Sequence, residues 1–337
     1  MKAVFIEKQG GKNVLGYGDL PKPKPKTGEV LIKVKAAALN HLDLHLIEAK
    51  LDIPLPHTSG SDVAGEIAEI NGISKLKTGQ AVVVNPAIPC GKCARCKKGL
   101  ACEMVTIFGY KTPGGFAEYV TAPISQVYAM PANLSYVEAA AFPLTFLTAW
   151  HMLVGRANLQ KGETVFIWGA SGGLGSAAIQ IAKYLGAKVI AAAGDENDAE
   201  KIKNMGADDV VIYSRGDTVK KVQQLNDDTL VDVVFESVGA KTWARTLAML
   251  RPYGRVVIAG TTSGEMASQD LSDVYYYQQT ILGPRMGTPE EFKQVLKLVA
   301  DGKLKPVVDK TFLLKDFAKA EKYLRHSKQT GKVVIEL

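Results

Sequence analysis

A glycine-rich turn between a strand and a helix constrains this chain most. The turn reads Gly169-Ala-Ser-Gly172-Gly173-Leu-Gly175; an apolar run typical of a buried strand precedes it, and an Ala/Leu/Ile-rich run with helical periodicity follows it. Glycines let a backbone approach a pyrophosphate, and the free N–H groups at a helix start attract its charge. An ordinary tight turn is the less favoured alternative. The pattern therefore predicts a dinucleotide site at Ala170, Ser171, Gly172, Gly173, Leu174 and Gly175.

The two halves of the chain differ in their patterns. Up to about residue 125, short β-rich runs such as 30–36 are separated by Pro, Gly and Asn, which predicts a β-rich, barrel-like domain. From about residue 135 strands alternate with helices, which is typical of a parallel doubly wound sheet. The tail beyond Pro289 lacks this alternation, and we expect it to pack back on the first domain. The strands predicted for the second half are 164–168, 188–193, 209–213, 231–236, 255–259 and 279–282.

The ends of the predicted strands suggest how a dinucleotide is bound. Asp195 follows the second strand, where an acidic side chain binds the adenosine ribose and repels a 2′-phosphate. Tyr213 and Arg215 close the third strand, where an arginine can receive that phosphate. A plain polar loop is the alternative for each residue. NAD(H) and NADP(H) both stay open, with a slight preference for NADH. The ends of the fourth and fifth strands add Ser237, Gly260 and Thr261 as cofactor-binding candidates.

All four cysteines lie within thirteen residues, at Cys90, Cys93, Cys96 and Cys102. A disulfide framework would spread its cysteines along the chain, so the cluster indicates a metal site. Four free thiols are the alternative.

Composition argues against two classes of partner. The net charge is +7, but the lysines are scattered and no basic stripe is interleaved with aromatic residues, so we expect no nucleic-acid partner. A membrane-spanning helix needs about 20 consecutive apolar residues, and no apolar run in this sequence approaches that length. The first residues lack the apolar core of a signal peptide, so a cytoplasmic location is expected.

Together these motifs resemble the medium-chain dehydrogenase/reductase superfamily of zinc alcohol dehydrogenases and quinone oxidoreductases. The resemblance covers essentially the whole chain. It implies an α/β fold with a GroES-like catalytic domain at 1–148, a structural zinc lobe at about 88–106, a Rossmann domain at 149–286 that binds NAD(P), and a return of 287–337 to the catalytic domain. The cofactor would lie between the domains. Besides the glycine turn and the cysteines, the matching segments are Gly28-Glu-Val-Leu-Ile-Lys-Val, Gly60-Ser-Asp-Val-Ala-Gly65, Gly114-Gly-Phe-Ala-Glu-Tyr119, Leu147-Thr-Ala149 and Thr330-Gly-Lys-Val-Val.

The chain departs from the zinc alcohol dehydrogenases at the catalytic metal. Their Cys, His and Cys ligands correspond here to Asn40, Ser61 and Leu144, none of which is a good zinc ligand. The resemblance therefore implies the zinc-independent quinone oxidoreductase branch. In the structural lobe, the family has seven residues between the last two cysteines and this chain has five, which leaves the part of Cys102 open.

Without a catalytic zinc, hydrogen bonds or a proton donor must polarise the substrate carbonyl. We take Asn40, His41 and Asp43 as catalytic candidates, together with Thr148, which matches the family residue that faces the nicotinamide. The alternative is that His41 and Asp43 only brace the interface between the domains. Further possibilities are a proton donor at Tyr110 and a metal site improvised from His41, Asp43, His45 and Asp62.

The sequence thus predicts an NAD(P)H-dependent oxidoreductase that transfers a hydride to or from a small carbonyl, enone or quinone without a catalytic zinc. Two alternatives are a zinc-type alcohol dehydrogenase with atypical metal ligands and a non-catalytic, nucleotide-binding redox sensor. The tyrosine-rich run 275–282 forms or precedes the last strand of the sheet. By family analogy that edge pairs subunits, so we expect a homodimer or a homotetramer.

Overall fold

The computed structural model describes residues 1–8, 14–48, 52–326 and 329–337. Within these ranges no helix combines the length and the apolar character needed to cross a bilayer. The strands are β1 Lys2–Ile6, β2 Leu15–Asp19, β3 Glu29–Ala38, β4 Asp62–Asn71, β5 Ala81–Val84, β6 Ala87–Ile88, β7 Thr106–Ile107, β8 Tyr119–Pro123, β9 Val127–Ala129, β10 Thr164–Ile167, β11 Lys188–Ala193, β12 Asp209–Ile212, β13 Val231–Glu236, β14 Leu250–Ile258, β15 Thr280–Leu282, β16 Val308–Leu313 and β17 Lys332–Glu336. The helices are α1 His41–Glu48, α2 Ala94–Lys97, α3 Tyr136–Ala140, α4 Pro143–Trp150, α5 Gly173–Tyr184, α6 Glu196–Asn204, α7 Thr218–Leu225, α8 Trp243–Ala248, α9 Leu271–Tyr276, α10 Pro289–Ala300 and α11 Phe317–Arg325.

The chain folds into two compact units. Unit 1 comprises Met1–Leu144 and Thr288–Leu337, and unit 2 comprises Thr145–Gly287.

Unit 2 is built on a six-stranded parallel sheet in the order β12-β11-β10-β13-β14-β15. This is the strand order of a Rossmann fold, in which a ligand binds where the order reverses, here at β10 and β13. Both central strands are almost entirely buried, because helices cover both faces of such a sheet and leave no polar face. The sheet and the order of its strands confirm the predicted doubly wound fold.

Unit 1 is built on a seven-stranded sheet in the order β16-β17-β3-β4-β5-β9, with β8 also paired to β3. Apart from the parallel pair β16–β17, the strands pair antiparallel. The long strand β3 sends Val30, Ile32 and Val34 into a core that also contains Phe116 and Phe317. Burial of this kind of apolar surface stabilises a fold by about 25 cal/mol per Å². The β-rich first half of the predicted fold is therefore confirmed.

The C-terminal tail differs from the expectation. Helix α11 connects β16 to β17, which pair in parallel, so the tail contains a βαβ unit. The amphipathic face of α11 buries Phe317, Ala320 and Leu324, a helical spacing of three and four residues. Strand β16 has no continuously buried run, because it lies at the edge of the sheet, and its pattern therefore gave little signal. The expectation that the tail lacks βα alternation is wrong.

Candidate functional site

The glycine turn leads from β10 into α5 and accepts no side chain at two positions. Gly169 has a φ of +63°, and a Cβ atom there would lie 2.6 Å from Ser237 Oγ. At Gly175 a Cβ atom would lie 2.2 Å from the carbonyl oxygen of Gly169. Gly172 caps α5 without a side-chain hydrogen bond, so the cap residue leaves the first N–H groups of the helix for a ligand. This is the backbone cradle that a pyrophosphate requires.

Three strand ends meet beside this turn. Ser237 Oγ donates a hydrogen bond to the carbonyl oxygen of Trp168, the last residue before the turn, at 3.2 Å. Gly260 has a φ of +118°, and a Cβ atom there would lie 2.9 Å from the carbonyl oxygen of Ser237. A Cβ atom on Gly239 would lie 3.0 Å from Thr261 Cα. The predicted cofactor residues that follow β13 and β14 therefore lie together with the turn after β10.

A fully buried carboxylate, which is not among the predicted site residues, holds the loop after β13. Glu236 Oε1 accepts hydrogen bonds from the N–H groups of Val238, at 2.6 Å, and Gly239, at 3.0 Å. Its Oε2 accepts hydrogen bonds from the hydroxyls of Thr242, at 2.8 Å, and Thr246, at 2.6 Å. Four such bonds offset the desolvation of the carboxylate. The available signal was an acidic residue at the last position of a buried strand.

The predicted adenosine-binding residues have specific partners. Asp195 caps α6, because its carboxylate accepts a hydrogen bond from the N–H of Asp198 at 2.9 Å. Arg215 forms a two-point ion pair with Glu196, one contact of which is 2.9 Å between Nη2 and Oε2. The guanidinium that was expected to receive a 2′-phosphate is therefore already paired with a carboxylate.

A second carboxylate lies near the end of β11. A Cβ atom on Gly194 would lie 3.3 Å from Asp198 Oδ2 and 3.7 Å from the Tyr213 hydroxyl oxygen. Burial, and then the nearby Asp195 carboxylate, raise the pKa of Asp198. The side chains of Asp198 and Tyr213 thus converge on Gly194. The neighbouring carboxylates of Asp195 and Asp198 make this end of the sheet acidic.

Thr148, the predicted nicotinamide-facing residue, is buried in α4. Its hydroxyl donates to the Sδ atom of Met286 at 3.9 Å. Met286 has a φ of +56°, in the left-handed region that few non-glycine residues adopt.

In unit 1, the amide of Asn40 is engaged at both of its polar atoms. Its Oδ1 accepts a hydrogen bond from Lys332 Nζ at 2.5 Å, and its Nδ2 donates to Asp62 Oδ2 at 2.9 Å. Asn40 is 7% exposed. The side chain is therefore held by the protein, which favours a positioning role over direct contact with a substrate.

The next catalytic candidates, His41 and Asp43, lie at the start of α1. Asp43 is buried, and its carboxylate accepts hydrogen bonds from the N–H groups of Asn40, at 2.8 Å, and Gly60, at 3.2 Å. Burial raises the pKa of Asp43 to about 6. His41 is exposed, yet the protein packed around it displaces water and lowers its pKa, and the Lys332 ammonium lowers it further. Its imidazole is therefore neutral at neutral pH and offers one N–H donor and one acceptor.

The three positions that hold the catalytic zinc in alcohol dehydrogenases do not form a metal site here. The amide of Asn40 is occupied, and the backbone N–H of Leu144 donates to Asp62 Oδ1 at 2.7 Å. The Ser61 hydroxyl is buried and has no hydrogen-bond partner in the described part of the chain. Neither thiolate nor imidazole comes from these residues, and zinc prefers such donors. A catalytic zinc does not fit.

The four cysteines, by contrast, suit a zinc ion. The four Sγ atoms all lie within 4.8 Å of one another, and those of Cys90 and Cys96 are 3.9 Å apart. Zn–S bonds of about 2.3 Å in a tetrahedron place two sulfur atoms about 3.8 Å apart. The N–H groups of Cys93 and Cys96 point at the sulfur atoms of Cys90 and Cys93, each at 3.4 Å. Cys102 lies with the other three despite the shortened loop, and the Cys90 N–H donates to its sulfur at 3.3 Å.

Across the described ranges, the cysteine cluster is the only group of three or more His, Cys, Asp or Glu residues whose ligand atoms lie close enough to share a metal ion. The improvised metal site of His41, Asp43, His45 and Asp62 is therefore not formed. Asp62 and Asp43 instead accept hydrogen bonds from the protein.

Comparisons with known proteins agree with this fold. Residues 26–132 match the model of the alcohol dehydrogenase GroES-like domain, and residues 173–301 match that of the zinc-binding dehydrogenases. The acryloyl-coenzyme A reductase of Metallosphaera sedula is 32% identical, with 99% of each chain covered. The quinone oxidoreductase of Homo sapiens is 29% identical, with 100% of this chain and 98% of the relative covered. A crystal structure of an NAD-dependent alcohol dehydrogenase superposes with a TM-score of 0.96 and 39% identity over 100% of both chains.

The Rossmann sheet, its glycine turn and these relatives define an NAD(P)-dependent oxidoreductase. The chain belongs to the medium-chain dehydrogenase/reductase superfamily, which confirms the resemblance seen in the sequence. The family and the cysteine cluster together indicate NAD(P) as cofactor and zinc as the metal.

We predict about one zinc ion per chain, because in the part of the chain that the structure describes only the cysteine cluster offers suitable donors. Replacing Cys102→Ser should remove this zinc and lower Tm by roughly 5–10 °C, because the lobe has little core of its own. Metal analysis and calorimetry measure both quantities. Met104→Leu, at an exposed neighbouring position, is the control and should retain the zinc. Two zinc ions per chain would contradict the prediction.

We further predict that Asp43 makes stability depend on pH. Its pKa is 3.8 in the unfolded chain and about 6 in the folded one, so the folded state holds the proton more tightly. The stabilisation is present below about pH 4 and is lost as the pH rises through 6, with a change on the order of 3 kcal/mol. Urea unfolding from pH 4 to 8 measures the free energy of unfolding. The difference in this free energy between wild type and Asp43→Asn should change with pH, whereas the difference between wild type and the exposed control Asp52→Asn should not. A pH-independent difference for Asp43→Asn would refute it.

Proposed function

We propose that this protein transfers a hydride from NADH to a small substrate whose carbonyl is conjugated, such as an enone, an enoyl thioester or a quinone. One observation carries the proposal. The cofactor turn at 169–175 is intact, but the positions that hold the catalytic zinc in alcohol dehydrogenases are occupied by residues that cannot bind it, Asn40, Ser61 and Leu144. An isolated carbonyl needs strong polarisation, which a metal ion often supplies. A conjugated acceptor spreads the developing charge, so fixed hydrogen-bond donors suffice. The names of two relatives, an acryloyl-coenzyme A reductase and a quinone oxidoreductase, support this class.

The chain's own groups would position and polarise the reactants. The turn would hold the pyrophosphate, and Ser237, Gly260 and Thr261 would line the rest of the cofactor site. The dinucleotide would supply a hydride for the β-carbon of the acceptor, the electron pair would move to the carbonyl oxygen, and a proton from solvent would complete the reduction. Neutral His41 donates a hydrogen bond to that oxygen, and Asn40 and Asp43 hold the start of α1 in place. Thr148 would lie against the nicotinamide, as the matching family residue does.

We also propose how the two compact units divide the work. Unit 2 is the cofactor domain, since it contains the turn and the strand ends beside it. Unit 1 is the catalytic domain, since it contains the catalytic candidates at the start of α1. The tail 288–337, which includes β17, is part of the same compact unit and so belongs to this domain. The cysteine lobe binds a structural zinc through all four thiolates.

For the cofactor, we propose NADH over NADPH. The carboxylates of Asp195 and Asp198 make the end of β11 acidic, which repels a 2′-phosphate. Glu196 occupies Arg215, the cation that would otherwise attract that phosphate.

A second candidate function is the oxidation of alcohols. It is favoured by the 39% identity to the solved NAD-dependent alcohol dehydrogenase. It would require another way of activating the hydroxyl, because a catalytic zinc does not fit at Asn40, Ser61 and Leu144.

For the assembly, we propose a homodimer or homotetramer formed through the edge of the unit 2 sheet. Strand β15 lies at that edge and exposes Ile281, and the preceding helix α9 exposes Tyr275 and Tyr276. An edge strand with exposed apolar and aromatic groups on and beside it favours pairing with another copy.

We expect NADH oxidation with cyclohexenone, benzoquinone or acryloyl-coenzyme A to have a kcat/KM at least about tenfold higher than with saturated aldehydes, because no metal polarises an isolated carbonyl. The measurement is the loss of NADH absorbance across this panel. Gly175→Ala should abolish turnover by closing the turn, whereas Gly283→Ala, where a Cβ atom meets nothing within 4 Å, should not. Faster turnover of saturated aldehydes or ethanol would favour the second candidate. NADH binding without turnover of any substrate would favour a redox sensor.

Cofactor preference should respond to the acidic end of β11. The double variant Glu196→Gln/Asp198→Asn removes two negative charges and frees Arg215, so its preference for NADPH over NADH should rise by about tenfold or more. Ratios of kcat/KM for the two cofactors measure this. Glu200→Gln, an exposed position on the same helix, is the control for a general change of charge. An equal rise in the control would show that these two residues do not set the preference.

A further inference from the structure

A buried lysine lies at the centre of the polar contacts around Asn40. Lys332 is the first residue of β17, and its side chain is 5% exposed. Its ammonium donates to the carbonyl oxygen of Leu39 at 2.7 Å, to Asn40 Oδ1 at 2.5 Å and to Asp62 Oδ2 at 3.0 Å. The three acceptors match the three hydrogens of the ammonium. The charge is therefore fully hydrogen-bonded inside unit 1.

The partner of this cation, Asp62, extends the contacts. Its Oδ2 also accepts from Asn40 Nδ2 at 2.9 Å, and its Oδ1 accepts from the N–H of Leu144 at 2.7 Å. The ion pair is thus bonded to two of the three positions that correspond to zinc ligands in alcohol dehydrogenases, Asn40 and Leu144. The third, Ser61, is the residue next to Asp62 in the chain. One buried pair connects the ends of β3, β4 and β17 with the start of α4.

We propose that Lys332 is a positioning residue for the reaction, an internal fixed cation that holds the segment 40–43 and sets its electrostatic potential where alcohol dehydrogenases use a metal ion. The effect of Lys332 on catalysis rests on the proposed function. The contacts of Lys332 themselves involve only residues of this chain.

The energetics support a role beyond packing. Burying a lysine and an aspartate usually stabilises a fold no better than well-packed apolar residues of similar size. This pair instead fixes the orientation of the Asn40 amide, and the Asn40 N–H in turn holds the carboxylate of Asp43. Segment 40–43 is therefore set by a charge that cannot move.

The same charge acts on the neighbouring titratable groups. The Lys332 ammonium lowers the pKa of His41, in addition to the larger effect of burial, and also opposes the rise in the pKa of Asp43. The other charged or titratable groups on α1 are His45 and Glu48, and Glu48 pairs with Arg325 of α11. An uncharged brace would not shift the pKa of His41, so this pKa shows whether the charge of Lys332 acts on the segment 40–43.

The test compares wild type with Lys332→Gln/Asp62→Asn, which removes both charges together and leaves no unpaired ion, and with the charge-conserving Lys332→Arg. We expect the double variant to lose about tenfold or more in kcat for the conjugated substrate, with the KM for NADH within about twofold of wild type. The pKa of His41, measured by NMR without substrate, should rise in the double variant. Lys332→Arg should keep the wild-type pKa and recover most of the activity. An unchanged His41 pKa in the double variant would overturn the proposal.

If the double variant does not fold, Asp62→Asn alone decides. It leaves the cation without its carboxylate, so the pKa of His41 should fall below the wild-type value, and an unchanged or raised pKa would overturn the proposal. Because the titration needs neither cofactor nor substrate, it decides whether Lys332 sets the electrostatic potential at His41 even if wild type reduces none of the proposed substrates. That failure would count against the proposed function only.

Discussion

A carboxylate inside a protein must find a donor for nearly every lone pair it turns away from water, and this requirement shapes both units. Glu236 meets it with two backbone N–H groups and two hydroxyls, and in doing so it fixes the loop after β13. Asp62 meets it with an ammonium, an amide and a backbone N–H. In each case the chain around the carboxylate adopts the one conformation that supplies the donors. Buried hydrogen bonds therefore hold the loop after β13 and the chain around Asp62 in place.

The glycine turn and the start of α1 serve the proposed reaction in different ways. At the turn, backbone atoms approach so closely that Gly175 admits no Cβ atom, and the proposed recognition of the cofactor depends on main-chain groups. At the start of α1, the proposed recognition of the substrate depends on side chains whose pKa values are shifted by burial and by Lys332. The first arrangement suits a cofactor whose phosphates never change. The second suits an oxygen atom that gains charge during the reaction.

Much of the fold follows from local pattern. The runs at 188–193 and 231–236 became strands with the predicted bounds, because strands of a parallel sheet are buried on both faces and are therefore rich in apolar residues. The glycine spacing likewise identified the turn. The hydrogen bonds among Lys332, Asp62 and Asn40 were not predictable, since Lys332 is 270 residues from Asp62 and 292 residues from Asn40 in the sequence. A long-range hydrogen bond leaves no periodicity in a sequence. Strand β16 was not predicted for a related reason: it lies at the edge of the sheet, and an edge strand has few buried apolar residues that would mark it in the sequence.

The close packing of the glycine turn also limits how this enzyme can change. Any substitution at Gly175 collides with the backbone itself, so neither natural variation nor laboratory evolution can adjust cofactor affinity there in small steps. The residues after β11, which face water and one another through flexible side chains, tolerate gradual exchange. Adaptation to a different reductant pool in a host cell would therefore begin at 195–215 and leave the turn unaltered.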